Sequence, residues 1–351
     1  MADLRRLAAV LWSAGILVGG TAATTAAEEL VVVSTGGSFG EAMKRIFFDP
    51  FTAETGIEII HVPATVQQQN GKLRAMLKAD NVEYDVLTTT DDAVIGDAEV
   101  YEELDCARVS NAAKYGVEGT CHGRSLLRTA GASMLVYKTD AFPAGGPRNW
   151  SDFWNVERFP GARCLIGGTT ENHIPLLAAL LADGVPPDRL FPIDIDRAVR
   201  KLEALKPHVA AYWSSYSQSQ QLMRDGECVA SIMTNGRAMS LRKEGFPLTL
   251  VWQGAFSNSA GWGVATKAPN REAAYKFLDF WMKRPEAHLA FYRKFFYGTA
   301  NRDVLKLLSA EEQSDYYAHP ENFAGQIALD TKWIGENLDT IRRRYADFLS
   351  Q

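Results

Sequence analysis

Short apolar runs rich in β-branched residues alternate with amphipathic segments along the chain, and this alternation restricts the fold more than any other feature of the sequence. Runs at 30–34, 58–62 and 84–88 predict strands, and the segments between them predict helices. Strands that alternate with helices are typical of an α/β layer built on a mainly parallel sheet.

A second series of the same kind follows, with helices predicted at 175–182 and 196–205 and a strand at 228–233. Extended segments at 132–138 and 261–266 separate the two series. We interpret them as two strands on which the chain crosses from one lobe to the other and back. The length of 351 residues fits two compact units.

The predicted architecture is therefore a two-lobed α/β fold with two crossover hinge strands. Each lobe has a mainly parallel sheet flanked by helices. The first lobe comprises 28–133 plus 264–351, and the second comprises 134–263.

The first residues predict export. Arg5 and Arg6 precede an apolar run at 7–20, and a stretch of small residues continues to 27. This is the pattern of a secretory signal peptide over 1–27, and its apolar run is shorter than the roughly 20 residues that span a bilayer. We expect a soluble periplasmic protein. Its net charge of −5, without long runs of either sign, predicts no nucleic-acid partner.

Four cysteines in an exported chain predict two disulfides, because thiols pair in oxidising compartments. The favoured pairs are Cys106 with Cys121 and Cys164 with Cys228, and the other two pairings stay open. His122 follows Cys121, but no second pair of closely spaced ligands accompanies it. We therefore predict neither a metal nor a cofactor.

The sequence GGSFG at 36–40 matches the Gly-x-Ser-x-Gly pattern of hydrolase nucleophiles, and it lies between a predicted strand and a predicted helix. In that fold several strands precede the serine, whereas only one precedes Ser38. Glycines at a helix start instead expose backbone N–H groups that bind polar or anionic groups. We predict that Ser38 contacts a ligand, and a secreted serine hydrolase is the alternative of another class.

A series of motifs resembles the type II periplasmic binding proteins of the spermidine/putrescine-binding class. The resemblance covers nearly the whole chain after residue 27, and the order of the motifs carries it. They are VSTGG at 33–37, YDV at 84–86, NWSDFW at 149–154, FPG at 159–161, ADGVP at 182–186, DGE at 225–227, TNGR at 234–237 and YGTAN at 297–301.

The resemblance implies a monomeric substrate-binding component of an ABC importer, which catalyses no reaction. Its partners would be a small solute, held in the cleft between the lobes, and a permease in the inner membrane. A role beside a chemoreceptor stays open. The matching positions predict these ligand contacts: Thr35, Gly37, Ser38, Asp91, Glu171, Trp213, Tyr216, Asn235, Arg237, Trp262 and Tyr297.

The solute class is the least determined feature. A polyamine is what the resemblance implies, yet Thr234 stands where relatives often have an aromatic residue, and no acid lies at 259–261. Arg237 offers a donor fork suited to a carboxylate. An amino acid or ω-amino acid is therefore an alternative. A neutral polyol or sugar-derived conjugate, held by Trp213, Tyr216 and Trp262, is another.

Overall fold

The computed structural model describes residues 28–169 and 171–351, so the predicted signal peptide at 1–27 lies outside the described residues. The β-rich runs of the sequence form strands of one hydrogen-bonded sheet. They are β1 Glu29–Ser34, β2 Glu58–Pro63, β3 Val86–Thr90, β4 Cys121–His122, β5 Ser125–Lys138, β6 Arg163–Ile166, β7 Val209–Trp213, β8 Ala230–Thr234, β9 Leu248–Val264 and β10 Gly298–Thr299.

The amphipathic segments form helices that flank the sheet. The helices are numbered in chain order, and the first is joined to the second by a π-helical stretch, Lys44–Phe48. They are α1 Gly37–Met43, α2 Asp49–Thr55, α3 Val66–Lys78, α4 Ala93–Gly96, α5 Ser110–Tyr115, α6 Trp150–Trp154, α7 His173–Ala182, α8 Ile195–Leu205, α9 Tyr216–Asp225, α10 Asn235–Lys243, α11 Arg271–Met282, α12 Pro285–Phe295, α13 Ala310–Ser314, α14 Pro320–Ala324, α15 Thr331–Glu336 and α16 Leu338–Ser350.

The strand order is β2-β1-β3-β9-β5-β8-β6-β7, with β4 and β10 paired to β5. Strand β1 is parallel to β2 and β3, and β6 is parallel to β7 and β8. The long strands β5 and β9 lie antiparallel in the middle. Each end of the sheet is thus mainly parallel, as predicted, and two antiparallel strands connect the ends.

The two long strands pass through two separate apolar cores, which define the lobes. Leu126 and Trp262 lie in the core of the first lobe, built on β1 to β3, α11 and α12. Met134 and Phe256 lie in the core of the second lobe, built on β6, β8, α7 and α8. The crossing falls near the pair Gly131 and Asn258. The predicted two-lobed α/β class with two crossover strands is confirmed.

The C-terminal helix departs from the predicted division, which placed 264–351 in the first lobe. Ile341, Tyr345 and Phe348 form one apolar face of α16, and this face packs in the core of the second lobe. On the other side, Arg342 pairs with Asp97 of the first lobe at 3.4 Å. The chain therefore crosses between the lobes a third time before α16, because Ile341, Tyr345 and Phe348 are covered by the second lobe, whereas Leu338 at the start of the helix lies against Gly96 of the first lobe.

Two disulfides hold the lobes internally. Cys106 is bonded to Cys121 in the first lobe, and Cys164 to Cys228 in the second. These are the pairings favoured from the sequence. The second bond joins two fully buried residues and ties β6 to the segment that leads into β8.

Candidate functional site

A cavity of about 300 Å³ lies between the lobes, where β1, β3 and β8 end. This is the usual place for a ligand in open α/β sheets, because the loops after the strands converge there. Seven of the residues predicted from the sequence line it: Thr35, Gly37, Ser38, Glu171, Tyr216, Arg237 and Tyr297.

The glycine loop after β1 brings backbone and hydroxyl groups to the cavity. Gly37 has a φ of +61°, a left-handed conformation that glycine adopts without strain. At Gly36 an added Cβ would lie 2.8 Å from Cβ of Pro63 on β2, so the loop must pass close to that strand. This turn directs Ser38 into the cavity. The imidazole of His61 is hydrogen-bonded to the hydroxyl of Ser34, 2.9 Å away, rather than to Ser38.

Glu171 is the carboxylate of the main cavity. Its oxygens accept hydrogen bonds from the Ser133 hydroxyl at 3.1 Å and from the Asn258 amide at 3.1 Å. Burial raises the pKa of this carboxyl to about 7, and the hydrogen bond from Ser133 and the nearby Tyr216 hydroxyl offset only part of the effect. No Lys or Arg pairs with it among the described residues. Glu171 is thus a buried acid without a counter-charge.

Tyr216 connects the polar groups of the cavity. Burial raises the pKa of its hydroxyl well above the usual value, and the nearby Glu171 carboxylate raises it further, so the hydroxyl stays neutral. The Arg237 guanidinium lies 5.9 Å from the centre of its ring. Tyr297 lines the same cavity, and its hydroxyl is 2.9 Å from the hydroxyl of Thr234.

Arg128 lines the cavity from the first lobe and was not predicted. It is 4% exposed, its Nη1 donates to the Thr88 hydroxyl at 3.1 Å, and its Nε has no partner. The guanidinium lies 4.7 Å from the ring of Trp262 and 5.3 Å from that of Phe39. Burial lowers its pKa to about 10. The sequence feature that could have identified Arg128 is a charged residue within the apolar run that forms β5.

Arg237 lines the cavity from the second lobe, at the start of α10. Its Nη1 donates to the Gln220 side chain at 3.2 Å, and its buried Nε has no partner. Within the part of the chain that the structure describes, neither this arginine nor Arg128 forms an ion pair. Two guanidinium groups, one from each lobe, therefore face the cavity without a carboxylate partner.

Three predicted contacts lie in the protein interior instead, each 0% exposed. Trp213 donates to the Ile232 carbonyl at 3.1 Å, and Trp262 packs between Arg128 and the core of the first lobe. Asn235 accepts from the Ala132 N–H and donates to the Phe296 carbonyl, each at 3.0 Å. These positions differ from the prediction because a sequence does not show which face of a strand or helix another element covers.

Asp91 also lies outside the main cavity. Both of its carboxylate oxygens accept from the Ser259 hydroxyl at 2.7 Å. It lines a second, smaller chamber that shares residues with the first. Other polar groups of the main cavity that the sequence did not suggest come from the start of α3, from β3 and from the two crossing strands: Thr65, Gln67, Thr88, Thr129 and Asn258.

Asn235 is expected to stabilise the fold rather than bind ligand. Replacing it with alanine removes both hydrogen bonds and leaves a buried N–H and a buried C=O unpaired. We expect the free energy of unfolding to fall by roughly 2–4 kcal/mol in urea titrations, with a smaller change in ligand affinity. Asn81→Ala, at an exposed position, is the matched control. A destabilisation no larger than that of the control contradicts this role.

Comparisons with known proteins decide the family. Residues 47–324 match the family described as bacterial extracellular solute-binding protein. The chain belongs to this family. The family predicted from the sequence motifs is confirmed, and this solute-binding protein is a binder rather than an enzyme, as predicted.

Among the described residues there is no group of three or more acidic, His or Cys side chains that could hold a metal ion. No described helix has the length and apolar character needed to cross a membrane.

Three relatives are informative. The γ-aminobutyric acid-binding protein of Pseudomonas aeruginosa is 31% identical over 91% of this chain and 91% of its own length. The spermidine/putrescine-binding periplasmic protein of Escherichia coli is 25% identical over 78% of this chain and 79% of its own. The structure of an ABC transporter substrate-binding protein from Bradyrhizobium japonicum is 30% identical, with a TM-score of 0.81, over 92% of this chain and 99% of that one.

Proposed function

We propose that this solute-binding protein captures an ω-amino acid such as γ-aminobutyric acid and delivers it to the permease of an ABC importer. The observation that supports the proposal is that positive and negative side chains line the same cavity without pairing with each other. Among residues 28–169 and 171–351, Arg128 and Arg237 have no carboxylate partner, and Glu171 has no cation. A ligand with a carboxylate at one end and an ammonium at the other supplies both missing charges.

A polyamine is a poorer match to these charges. It carries only positive charge, whereas Glu171 is the single acidic residue among those that line the main cavity, and two arginines line it as well. A polyamine would leave both guanidinium groups unpaired in a desolvated site. The relation to the γ-aminobutyric acid-binding protein, 31% identical, supports the same choice.

A sugar-derived ligand is also disfavoured. The sequence argument for it needed Trp213 and Trp262 as aromatic walls. Both side chains are buried, and neither lines the cavity. Tyr216, Tyr297 and Phe39 are the aromatic residues that do.

We propose that the ligand closes the two lobes over itself. Arg128 belongs to the first lobe, Glu171 and Arg237 belong to the second, and all three line one cavity. Contacts from both sides favour a closed form because each lobe gains its counter-charge only when the cleft is shut. Residues 28–133 with 264 to about 326, and 134–263 with α16, are the proposed rigid bodies. Export by residues 1–27 and a monomeric state are parts of the same proposal.

Calorimetry with three ligands of similar length tests the proposal. We expect γ-aminobutyric acid to bind, and butyrate and putrescine to bind at least roughly 100-fold more weakly, because each lacks one of the two charges. Export and delivery are tested by growth on the ligand as sole nitrogen source. Tighter binding of putrescine than of γ-aminobutyric acid would overturn the assignment and restore the polyamine reading.

A further inference from the structure

Behind Glu171 lies a second chamber of about 40 Å³, which the function proposed above does not use. Asp91 and Asp92 from the loop after β3 line it from the first lobe, and Glu171 and His173 line it from the second. Leu329, in the third crossing of the chain, closes one side. The chamber therefore lies between the lobes, beside the crossing strand β9 and the third crossing of the chain.

The chamber holds excess negative charge. Three carboxylates line it, and none of its lining residues in the described part of the chain is Lys or Arg. Burial raises the pKa of the Asp91 carboxyl and that of Glu171, so the hydrogen bonds that they accept do not fully offset the cost of burying their ionised forms. Buried negative charge is costly unless a cation or several donors satisfy it.

Two polar side chains in the chamber have atoms that find no hydrogen-bond partner among the residues that the structure describes. Asp92 is 7% exposed, and its Oδ2 accepts no hydrogen bond. His173 is 5% exposed, its Nδ1 has no partner, and burial lowers its pKa, so the ring stays neutral. Unpaired buried polar atoms of this kind require an explanation, and a bound group with several donors supplies one.

The chamber and the main cavity share a wall. Thr90, Glu171, Asn258 and Ser259 line both spaces. A ligand whose carboxylate meets Arg128 and Arg237 therefore directs its other end towards this wall and the acids behind it. That end lies between Glu171 of the second lobe and the aspartates of the first.

Among organic cations, guanidinium suits this surrounding best. An ammonium has three donors, which Glu171 and its neighbours satisfy from one side. A guanidinium is a planar fork with five donors, and it pairs with carboxylates on more than one edge. Acids on two sides offer such a set of acceptors, and the unpaired Nδ1 of His173 adds one more in the tautomer that carries its proton on Nε2.

We propose that the acidic chamber is a subsite for a guanidinium group, so that the protein accepts ω-guanidino acids as well as ω-amino acids. This inference rests on the proposed function, because the carboxylate end of both ligand classes occupies the same arginines. It adds Asp91, Asp92 and His173 as residues that select the cationic end of the ligand.

The test compares three ligands on the full-length mature protein by calorimetry. They share one carbon chain and differ at the end: 4-guanidinobutyrate, γ-aminobutyrate and 4-acetamidobutyrate, which is similar in size and neutral. We expect the guanidino acid to bind within roughly tenfold of the amino acid, and the acetamido compound to bind far more weakly. Binding of γ-aminobutyrate without binding of 4-guanidinobutyrate would overturn this inference alone. Failure of both to bind would overturn the proposed function and the inference with it.

A near-isosteric variant locates the subsite. Asp92→Asn is expected to weaken 4-guanidinobutyrate by roughly tenfold and γ-aminobutyrate by less than about twofold. Asp91→Asn provides a second variant, and the exposed Asp188→Asn is the matched control. Melting temperatures verify folding. Equal weakening of both ligands by Asp92→Asn contradicts a subsite specific for guanidinium.

Discussion

Replacing Arg128 with methionine is expected to weaken binding of γ-aminobutyric acid by roughly 1,000-fold while leaving the empty protein as stable as before or more so. The Arg128 side chain is 4% exposed, and within the described part of the chain its guanidinium has one hydrogen bond, to Thr88, and no carboxylate partner. It stacks on Trp262 at 4.7 Å. Methionine fills similar volume on the same aromatic surface and removes a desolvated charge.

The two measurements for this variant separate affinity, which falls, from stability, which does not, and this makes the prediction specific. Calorimetry reports the loss of affinity, and thermal unfolding without ligand reports the stability. Arg200→Met is the matched control, because Arg200 is exposed and lies outside the cavity. A clear drop in melting temperature with unchanged affinity would show that Arg128 is a structural cation and would remove it from the binding site.

Replacing Glu171 with glutamine is expected to reduce binding of γ-aminobutyric acid by roughly 1,000-fold, because the ammonium loses its only counter-charge in the main cavity. Glutamine keeps the shape of the side chain. Its amide oxygen still accepts from Asn258, and its amide nitrogen donates to the hydroxyl of Ser133. The loss is thus of charge rather than of packing, and isothermal titration of wild type and variant measures it.

The raised pKa of Glu171 gives this prediction a pH dependence. In the empty protein the carboxyl has a pKa of about 7. A bound ammonium favours the ionised form, so binding near neutral pH releases a proton, and affinity falls roughly tenfold per pH unit below pH 7. Titrations in buffers of different ionisation enthalpy count the protons. The Glu171→Gln variant releases none, and a pH-independent affinity of the wild type would contradict the role of Glu171.

The same pKa sets the sign of a stability change in the empty protein. The pKa of Glu171 in the folded protein, about 7, lies above its pKa in the unfolded chain, roughly 4.3. Between these pH values the folded state holds a proton that the unfolded state has lost. This contribution to stability is fully present below about pH 4 and decreases by about 4 kcal/mol as the pH rises to 7 and above. Glu171→Gln removes the decrease, so at pH 8 the variant is expected to melt at a higher temperature than the wild type.

Local patterns in the sequence were sufficient for the class of fold and for part of the site. The alternation of β-rich runs and amphipathic segments predicted β1, β2 and β3 of the first lobe, β8 of the second, and the two crossing strands β5 and β9. The glycines at 36, 37 and 40 predicted a tight turn into α1 with Ser38 at its start, and the structure has this turn beside the cavity. These features depend on neighbours within a few residues, so the sequence alone determined them.

Only the tertiary structure decided which charges meet. Arg128 lies in strand β5, which has apolar residues on both faces, so the sequence does not show which face meets the cavity. Packing against Trp262 directs the Arg128 side chain into the cavity. A hydrogen bond from the Ser259 hydroxyl keeps the Asp91 carboxylate in the second chamber rather than in the main cavity. The apolar face of α16 is visible in the sequence, but its place on the second lobe is not. Periodicity shows which side of an element avoids water, whereas the partner that covers that side comes from residues far away along the chain.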